Sequence, residues 1–205
     1  MTKRGIDVLI AALGLVLLSP LLASIAAGIK LSSPGPVLFG QERVGRGGRP
    51  FRLYKFRSMV ADAPSRGPQL TVGDDPRVTA FGRFLRRTKL DELPQLINIL
   101  RGDMSIVGPR PEVPKYVALY PQEVRERVLS VRPGLTDQAA ITLDEERVLA
   151  QAADPEWTYV SEVLPSKLAL YEQYVATHGL LVDLAIIART VLRITLRHRR
   201  PARPR

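Results

Sequence analysis

The chain has 205 residues, a formal net charge of +10, two histidines and no cysteine. Its length suits one ordinary domain with its own core. Without cysteine the protein has no disulfide, no thiolate nucleophile and no zinc–thiolate site, and two histidines are too few for a histidine-rich metal centre. Any bound metal should therefore be held by carboxylate and phosphate oxygens, which are the ligands that magnesium prefers.

Much of the basic charge lies at the C-terminus. From Arg189 onward the chain has seven arginines and no acidic residue. Such a cluster favours either nucleic acid or an anionic membrane surface as a partner. Because no interleaved aromatic residues, zinc-finger spacing or helix-turn-helix pattern accompanies these arginines, we expect anionic lipid headgroups and no nucleic acid.

The longest apolar run extends from Ile6 to Ile29, with Asp7 as its only charge. A run of about 20 residues is enough to span a bilayer as a helix. Ser19 and Pro20 lie past its middle, and a proline there should bend or break the helix because it removes a backbone donor and clashes with the preceding turn. The run is too long, and lacks the cleavage site, for a typical secretory signal.

Positive charges lie at both ends of this run, at Lys3, Arg4 and Lys30. A spanning helix usually has its Lys/Arg excess on one side only. The residues alone leave two interpretations open, a kinked transmembrane helix and a re-entrant hairpin that returns to the side from which it entered.

Two extended segments, 37–44 and 51–60, flank the glycine-rich segment 45–48 and predict a β-hairpin. Alternation in the second strand places on one face the side chains of Phe51, Leu53, Lys55 and Arg57. On the residues alone, Lys55 and Arg57 could form a solvated strand edge. Residues 61–79 are rich in Pro, Gly and Asp and predict a long loop, either a lid or a plain connector.

The adjacent carboxylates Asp91 and Glu92 are the strongest chemical feature of the chain. They precede a predicted short helix over residues 93–100, and four arginines flank them in sequence: Arg86, Arg87, Arg101 and Arg110. Carboxylates held among arginines suit chemistry on a phosphate, since one group can act as nucleophile or base while cations neutralise the phosphoryl oxygens. The alternative is structural, with Asp91 capping the helix and Glu92 in its first turn.

Further helices are predicted over residues 81–87 and 121–130, and an apolar stripe at helical spacing runs from Leu164 to Val175. Residues 180–196 predict an amphipathic helix with a broad apolar face and an opposite stripe of arginines at 189, 193 and 197. Such a helix suits a membrane interface, with its arginines at the headgroups. Packing against the core, with a solvated arginine stripe, is the alternative.

The string around the acidic pair resembles the core of the bacterial sugar transferases, the monotopic phosphoglycosyl transferases that act on polyprenyl phosphate. Their Leu-Asp-Glu-Leu-x-Gln, Asn, Lys/Arg-Gly-Asp-Met-Ser and Gly-Pro-Arg-Pro elements correspond here to residues 90–95, Asn98, 101–105 and 108–111. The likeness extends from the apolar N-terminus through Tyr54-Lys55-Phe56 to residues 132–134. One departure is clear, because residues 137–140 read Asp-Gln-Ala-Ala where many family members have Gly-Trp-Ala-Gln.

This resemblance implies an α+β, mostly helical fold. Residues 1–31 would form a re-entrant membrane helix that turns at Ser19 and Pro20. Residues 32–197 would form a single catalytic domain at the membrane interface, with the small β-hairpin and interfacial amphipathic helices. Residues 198–205 would be a basic tail that does not pack. The location implied is the cytoplasmic face of the bacterial inner membrane.

The resemblance also implies an enzyme that transfers a sugar 1-phosphate from a UDP-sugar to polyprenyl (undecaprenyl) phosphate, as the first membrane step of glycoconjugate or exopolysaccharide assembly. Asp91 would be the nucleophile and would also hold Mg²⁺, and Glu92 would act as a base. Lys55, Arg86 and Arg110 would bind phosphate oxygens. The sequence does not identify the sugar, and it does not distinguish a monomer from a homodimer. A membrane-associated scaffold and a basic nucleic-acid-binding protein are the competing classes.

Overall fold

The fold begins with two apolar helices that meet at a sharp bend. In the computed structural model, which describes residues 3–67, 70, 73 and 75–199, α1 spans Lys3–Leu17 and α2 spans Ser19–Ser32, and the two are bent by 62°. Pro20 has no amide hydrogen to donate to the preceding turn, and Ser19 Oγ donates to the Val16 carbonyl at 2.7 Å. The bend predicted at Ser19 and Pro20 is therefore confirmed.

No single helix in the part of the chain that the structure describes is both long and apolar enough to cross a membrane. Helices α1 and α2 meet those requirements of length and composition only as a bent pair.

The predicted β-hairpin is present. Strand β1 (Leu38–Val44) pairs antiparallel with β2 (Pro50–Phe56), in a register that runs from Leu38 opposite Phe56 to Val44 opposite Pro50. The second strand is shorter than predicted. In the connecting turn, Gly47 and Gly48 have φ values of 67° and 77°, a left-handed conformation that favours glycine.

The remaining elements are mostly short helices. They are α3 (Ala80–Thr88), α4 (Gln95–Arg101), β3 (Ser105–Val107), α5 (Pro114–Val117), α6 (Gln122–Val128), β4 (Gly134–Thr136), α7 (Gln138–Thr142), α8 (Glu145–Gln151), α9 (Pro155–Thr158), α10 (Leu164–Thr177) and α11 (Leu180–Arg199). A π-helical turn over Tyr159–Val163 joins α9 to α10. The predicted helices of the body are confirmed, with boundaries that differ by at most three residues.

Strands β3 and β4 form a two-stranded parallel sheet that brings together the segments that follow them. Ser105 lies opposite Gly134 and Val107 lies opposite Thr136. Because the strands are parallel, the segments that leave their carboxyl ends emerge side by side. These segments carry Arg110 after β3 and Asp137 after β4, so the sheet places the two residues in the same part of the molecule.

Three clusters of buried side chains make up the core. The largest lies around Tyr116, Tyr159 and Tyr171, below the hairpin and against α10. A second joins α1, α4, β3 and α11, and a third joins α2 to β2 and α3. Both N-terminal helices therefore pack against the body of the protein on one side. Their other sides are left exposed: beside the bend, Val16 is 70% and Leu17 75% exposed, and Leu31 near the end of α2 is 90% exposed.

The arginine stripe predicted for α11 is wrong at Arg193, whereas Arg189 is exposed as predicted. Arg193 does not face outward: its guanidinium donates to the carbonyls of Ala140, Ile141 and Leu143, at the end of α7, the last at 3.0 Å. The outward face is apolar instead, with Leu181 82% exposed and Val191 and Leu192 each 57% exposed. An arginine here satisfies the free carbonyls at the end of a neighbouring helix, which periodicity alone does not reveal.

The predicted long loop is closed at its base. Met59 and Val78 form an isolated antiparallel bridge, and the Val60 amide donates to the Arg77 carbonyl at 2.9 Å. A lid function stays a prediction, since residues 68, 69, 71, 72 and 74 lie outside the described residues. The basic tail is also largely outside them, because α11 continues to Arg199 and residues 200–205 are not described.

Candidate active site

The acidic pair lies in a tight turn between two helices. Helix α3 ends at Thr88 and is followed by Lys89, whose φ of 59° makes it the one non-glycine residue with positive φ among those the structure describes. This left-handed residue redirects the chain into a 3₁₀ turn over Leu90–Glu92, and α4 begins only at Gln95. A left-handed non-glycine residue is uncommon and costs free energy, which is typical of functional turns.

The structural alternative for Asp91 is contradicted by this geometry. The carboxylate caps neither the 3₁₀ turn nor α4, and its side chain is only 6% exposed. Its Oδ1 atom is buried and has no hydrogen-bond partner in the described part of the chain. An unpaired buried oxygen on a carboxylate is costly, so it calls for a ligand or a chemical role.

Glu92, in contrast, is held by two cations. Lys55 Nζ donates to Glu92 Oε1 at 2.9 Å. Arg110 binds both carboxylate oxygens, through Nη1 to Oε2 at 3.3 Å and through a short contact from Nη2 to Oε1. This two-pronged arrangement is the geometry in which a guanidinium grips a carboxylate or a phosphate most strongly.

These contacts give the two acids opposite electrostatic properties. Burial raises the pKa of Asp91, an effect that the charge of Lys55 only partly opposes. Burial would also raise the pKa of Glu92, but the charges of Arg110 and Lys55 outweigh it and hold that pKa well below its usual range. The pKa of Arg110 is raised by Glu92, while burial lowers the pKa of Lys55.

Lys55 reaches the acidic pair because Asn98 ties β2 to α4. The buried Asn98 amide accepts from the Tyr54 backbone N–H at 3.0 Å and donates to the Arg52 carbonyl at 2.8 Å. It also donates to the Asp103 carboxylate at 3.1 Å. Asn98 and Asp103, both part of the motif, thus set the distance between the strand that carries Lys55 and the turn that carries Glu92.

Ser105, another residue of the motif, helps to attach helix α1 to the body of the protein. The Ser105 hydroxyl donates to Asp7 Oδ2 at 2.8 Å, and the Ile106 amide donates to Asp7 Oδ1 at 3.1 Å. Asp7 is buried, so the single charge in the apolar run is explained by this contact with the edge of β3. The contact fixes α1 to the body of the protein that holds the site.

Of the four flanking arginines, only Arg110 contacts the acidic pair. Arg86 makes no side-chain hydrogen bond with the described residues, although its charge is one of several that oppose the burial-raised pKa of Asp91. Arg101 donates to the Tyr54 hydroxyl at 2.8 Å and lies over that ring, and Arg87 is exposed. Of the two arginines that the family resemblance predicts to bind phosphate oxygens, Arg110 lies at the acidic pair, whereas Arg86 does not contact it.

Two residues near the site had no role assigned from the sequence. Gln95 is fully buried and its Nε2 has no hydrogen-bond partner among the described residues. Asp137 is also buried; its Oδ1 accepts from the Ala140 amide at 2.8 Å, which caps α7, while its Oδ2 has no partner in the described chain. Asp137 stands at the start of the segment that departs from the common family pattern, and this departure was the only signal for it.

The donor atoms around Asp91 determine whether a divalent cation fits the site. The described residues include no group of three or more His, Cys, Asp or Glu side chains that could hold a metal on their own. Magnesium, however, commonly uses one or two carboxylates and takes its other ligands from substrate phosphates and water. The free Oδ1 of Asp91 suits such a ligand, whereas the Glu92 oxygens are already engaged by Lys55 and Arg110.

The sequence comparisons identify the class of protein that this fold and site define. A profile of the bacterial sugar transferase family matches residues 1–197, and the chain therefore belongs to that family.

Three relatives show the range of the match. The UDP-N-acetylgalactosamine-undecaprenyl-phosphate N-acetylgalactosaminephosphotransferase of Aeromonas hydrophila is 40% identical over 191 residues, covering 92% of this chain and 42% of the relative. The UDP-glucose:undecaprenyl-phosphate glucose-1-phosphate transferase of Caulobacter vibrioides is 44% identical over 193 residues, covering 92% and 68%. The exopolysaccharide production protein ExoY of Sinorhizobium fredii is 36% identical over 210 aligned positions, covering 95% and 86%. The chain thus spans less than half of the Aeromonas relative but most of the other two.

Proposed function

We propose that this protein transfers a sugar 1-phosphate from a UDP-sugar to polyprenyl phosphate, releasing UMP and forming a polyprenyl diphosphosugar. The observation that carries the proposal is the contrast within the acidic pair: a buried Asp91 with a free oxygen beside a Glu92 that holds Lys55 and Arg110. The names of the relatives, which specify transfer of N-acetylgalactosamine or glucose phosphate to undecaprenyl phosphate, support it.

The first half-reaction assigns Asp91 as the nucleophile. One carboxylate oxygen attacks the β-phosphorus of the UDP-sugar, the bond from that phosphorus to the bridging oxygen breaks, and UMP leaves with the bonding electrons. The product is an acyl phosphate that links Asp91 to the sugar phosphate. Burial raises the pKa of Asp91, so the carboxylate is poorly solvated and correspondingly reactive.

In the second half-reaction, an oxygen of polyprenyl phosphate attacks the same phosphorus and the bond to Asp91 breaks, which restores the carboxylate. Splitting the transfer in this way requires only one phosphate acceptor in the site at a time. Lys55 and Arg110 bind phosphoryl oxygens in both steps, and Arg86 adds positive charge nearby. Magnesium, held by Asp91 and the substrate phosphates, would neutralise charge on the diphosphate.

The role of Glu92 as a base depends on its partners. With Lys55 and Arg110 in place, its pKa is well below its usual range and the carboxylate is a weak base. Phosphate oxygens that draw these two cations away would raise its basicity at the moment when the acceptor needs to lose a proton. Before that, Glu92 keeps both cations oriented towards the site.

The membrane attachment proposed is a re-entrant helix formed by residues 1–31, with residues 32–197 as a catalytic domain on the cytoplasmic face of the inner membrane. The bend at Ser19 and the exposed apolar end of α1 support this arrangement. The apolar outer face of α11 provides a second surface for the bilayer interface. Held at that depth, the site can meet both a soluble nucleotide sugar and a lipid phosphate.

The test is a donor panel with the purified protein in nanodiscs. UDP-glucose, UDP-N-acetylgalactosamine and other UDP-sugars are each supplied with undecaprenyl phosphate, and UMP is measured. We expect UMP release with at least one donor and none from Asp91→Asn, with Glu123→Gln on the exposed face of α6 as a control of parental activity. Intact mass after incubation with that donor alone should increase by one sugar phosphate. Absence of UMP with every donor would contradict the proposal.

A further inference from the structure

The backbone around Arg110 has no regular secondary structure, yet it is held on both sides. On one side the Gly134 amide donates to the Pro109 carbonyl at 2.9 Å. On the other, Arg43 Nη1 donates to the Pro111 carbonyl at 3.0 Å, and the Val44 amide donates to the Glu112 carbonyl at 3.0 Å. The segment is therefore clamped between β4 and β1.

A buried ionic network lies directly behind this segment. Glu112 Oε1 accepts from Lys167 Nζ at 2.7 Å and from the Tyr159 hydroxyl at 2.6 Å, and its Oε2 lies 3.3 Å from Arg43 Nη1. Lys167 also donates to the Tyr159 hydroxyl at 3.2 Å and lies 3.3 Å from Glu145 Oε2. All three groups around Glu112 come from different elements: β1, the π-helical turn and α10.

Stability alone is a poor explanation for this network. A buried ion pair loses much of its attraction to desolvation, and replacement by well-packed apolar residues is often neutral or stabilising. Here Glu112 and Lys167 are buried beside Tyr159, a member of the largest apolar cluster, where Leu and Phe would be the ordinary choice. The charged groups instead fix the position of this segment. Their hydrogen bonds hold either the Pro111 carbonyl or the Glu112 carboxylate in place.

We propose that Glu112 is a positioning residue for Arg110. Bound to Lys167 and Tyr159 at its carboxylate and to Val44 at its carbonyl, it fixes the chain two residues after Arg110. Together with the bond from Arg43 to Pro111, it determines where the guanidinium lies. The Arg110 guanidinium consequently binds Glu92 through both Nη1 and Nη2, and it can bind the phosphates of the nucleotide sugar through the same two nitrogens. Glu112 does not contact the acidic pair and acts only through Arg110.

The inference rests on the proposed transfer reaction and is tested by a double-mutant cycle. Steady-state UMP release is measured for the parent, Glu112→Gln, Arg110→Lys and the double variant, with thermal melting of each. We expect Glu112→Gln to lower kcat/KM about tenfold, mainly through a higher KM for the UDP-sugar. In the Arg110→Lys background the same change should have less than about a twofold effect, because the fork it positions is already absent.

A matched control comes from Glu156. Its carboxylate is bound by one lysine and one tyrosine, Lys115 and Tyr116, as that of Glu112 is bound by Lys167 and Tyr159, but it lies in α9 at the surface. Glu156→Gln should leave kcat/KM unchanged. If Glu112→Gln fails to fold, the double variant Glu112→Met/Lys167→Met provides the test instead. This double variant removes the buried carboxylate and the buried ammonium group together. We expect it to melt near the parental temperature and still show the higher KM.

Two results would overturn the inference. One is an effect of Glu112→Gln on kcat/KM that is as large in the Arg110→Lys background as in the parent. The other is a folded double methionine variant with parental kinetics. Both require an active parent protein, so they differ from a failure of the proposed function, in which the parent releases no UMP at all.

Discussion

Asp91 and Glu92 are adjacent in the chain, but only Glu92 is bound by cations. Lys55 and Arg110 both donate to Glu92, while Asp91 Oδ1 is buried without a partner among the described residues. The pKa values of the two acids therefore diverge. Burial raises the pKa of Asp91, whereas the charges of Arg110 and Lys55 outweigh the effect of burial on Glu92 and lower its pKa. Such divergence is a usual way for one site to give two carboxylates different roles.

Glu92→Gln should impair both stability and turnover. The amide cannot compensate two partly buried cations, so we expect a loss of about 2 kcal/mol at pH 7. A carboxylate with a lowered folded pKa stabilises the fold above its unfolded pKa of about 4.3, and this contribution is lost as pH falls through the folded value. The difference in unfolding free energy between parent and variant, measured by urea denaturation, should therefore shrink in acid.

The control for this variant is Glu123→Gln, which removes a carboxylate that is 86% exposed. We expect it to change stability by less than about 0.5 kcal/mol at any pH. A Glu92→Gln protein as stable as the parent at pH 7 would show that the pairing with Lys55 and Arg110 is not formed in solution. Survival of the covalent adduct in this variant would place Glu92 in the second half-reaction.

Asp137→Asn is expected to stabilise the protein near neutral pH. Burial raises the pKa of Asp137, an effect that Arg110 partly opposes, and its Oδ2 is unpaired, so ionising this carboxyl costs stability. The parent should lose this stability as pH rises from the unfolded pKa of about 3.9 through the folded value, whereas asparagine does not titrate. The amide oxygen can still accept from Ala140 and cap α7.

Melting temperatures across pH test this. At pH 7.5 we expect Asp137→Asn to be more stable than the parent by about 1 kcal/mol, which corresponds to a melting temperature roughly 2–4 °C higher in a chain of this size. Near pH 4 this difference should vanish. A parallel pH profile for both proteins would mean that Asp137 is paired in solution. Because Asp137 begins the segment that departs from the common family pattern, the variant should also be run against the donor panel.

Asn98→Ala should destabilise the fold and reduce activity together. The substitution leaves the Tyr54 N–H and the Arg52 carbonyl without their partner and frees β2 from α4. Two or three lost hydrogen bonds in a buried setting should cost about 2–4 kcal/mol. Gln151→Ala on exposed helix α8 is the control, with an expected change below about 0.5 kcal/mol. Normal stability of Asn98→Ala, measured by urea denaturation, would contradict the role assigned to Asn98 in holding Lys55.

The features that the sequence predicted well depend on local patterns. The bend at Pro20 follows from a missing donor, the hairpin from two extended segments around glycines, and the acidic turn from a motif. The contacts that could not be predicted from the sequence join residues that are distant in the chain and depend on the tertiary fold. The family motif singled out Arg110 for phosphate binding, but no local pattern reveals that Arg110 binds Glu92 or that Arg101 lies over Tyr54. In α11, periodicity separated polar from apolar positions but did not reveal that Arg193 faces the end of α7.

The last prediction concerns the path of the N-terminal helices through the membrane. If the bent pair re-enters, the two ends of residues 1–31 face the same side. Since the chain has no native thiol, a cysteine can replace Thr2, which precedes the described residues, or Glu123 on exposed α6. In cells with only the outer membrane permeabilised, both should resist a membrane-impermeant maleimide. Both should react once the inner membrane is opened.

Pro20→Ala provides the matched perturbation. It restores the backbone donor at the bend, so α1 and α2 can form one straight helix long enough to cross. We expect part of the Thr2 cysteine to become labelled from outside in this background, while the Glu123 cysteine stays protected. UMP release should fall as well, because a straightened anchor no longer holds Asp91 at the level of the lipid phosphate. Labelling of the Thr2 cysteine from outside in the protein with Pro20 intact would instead establish a spanning helix.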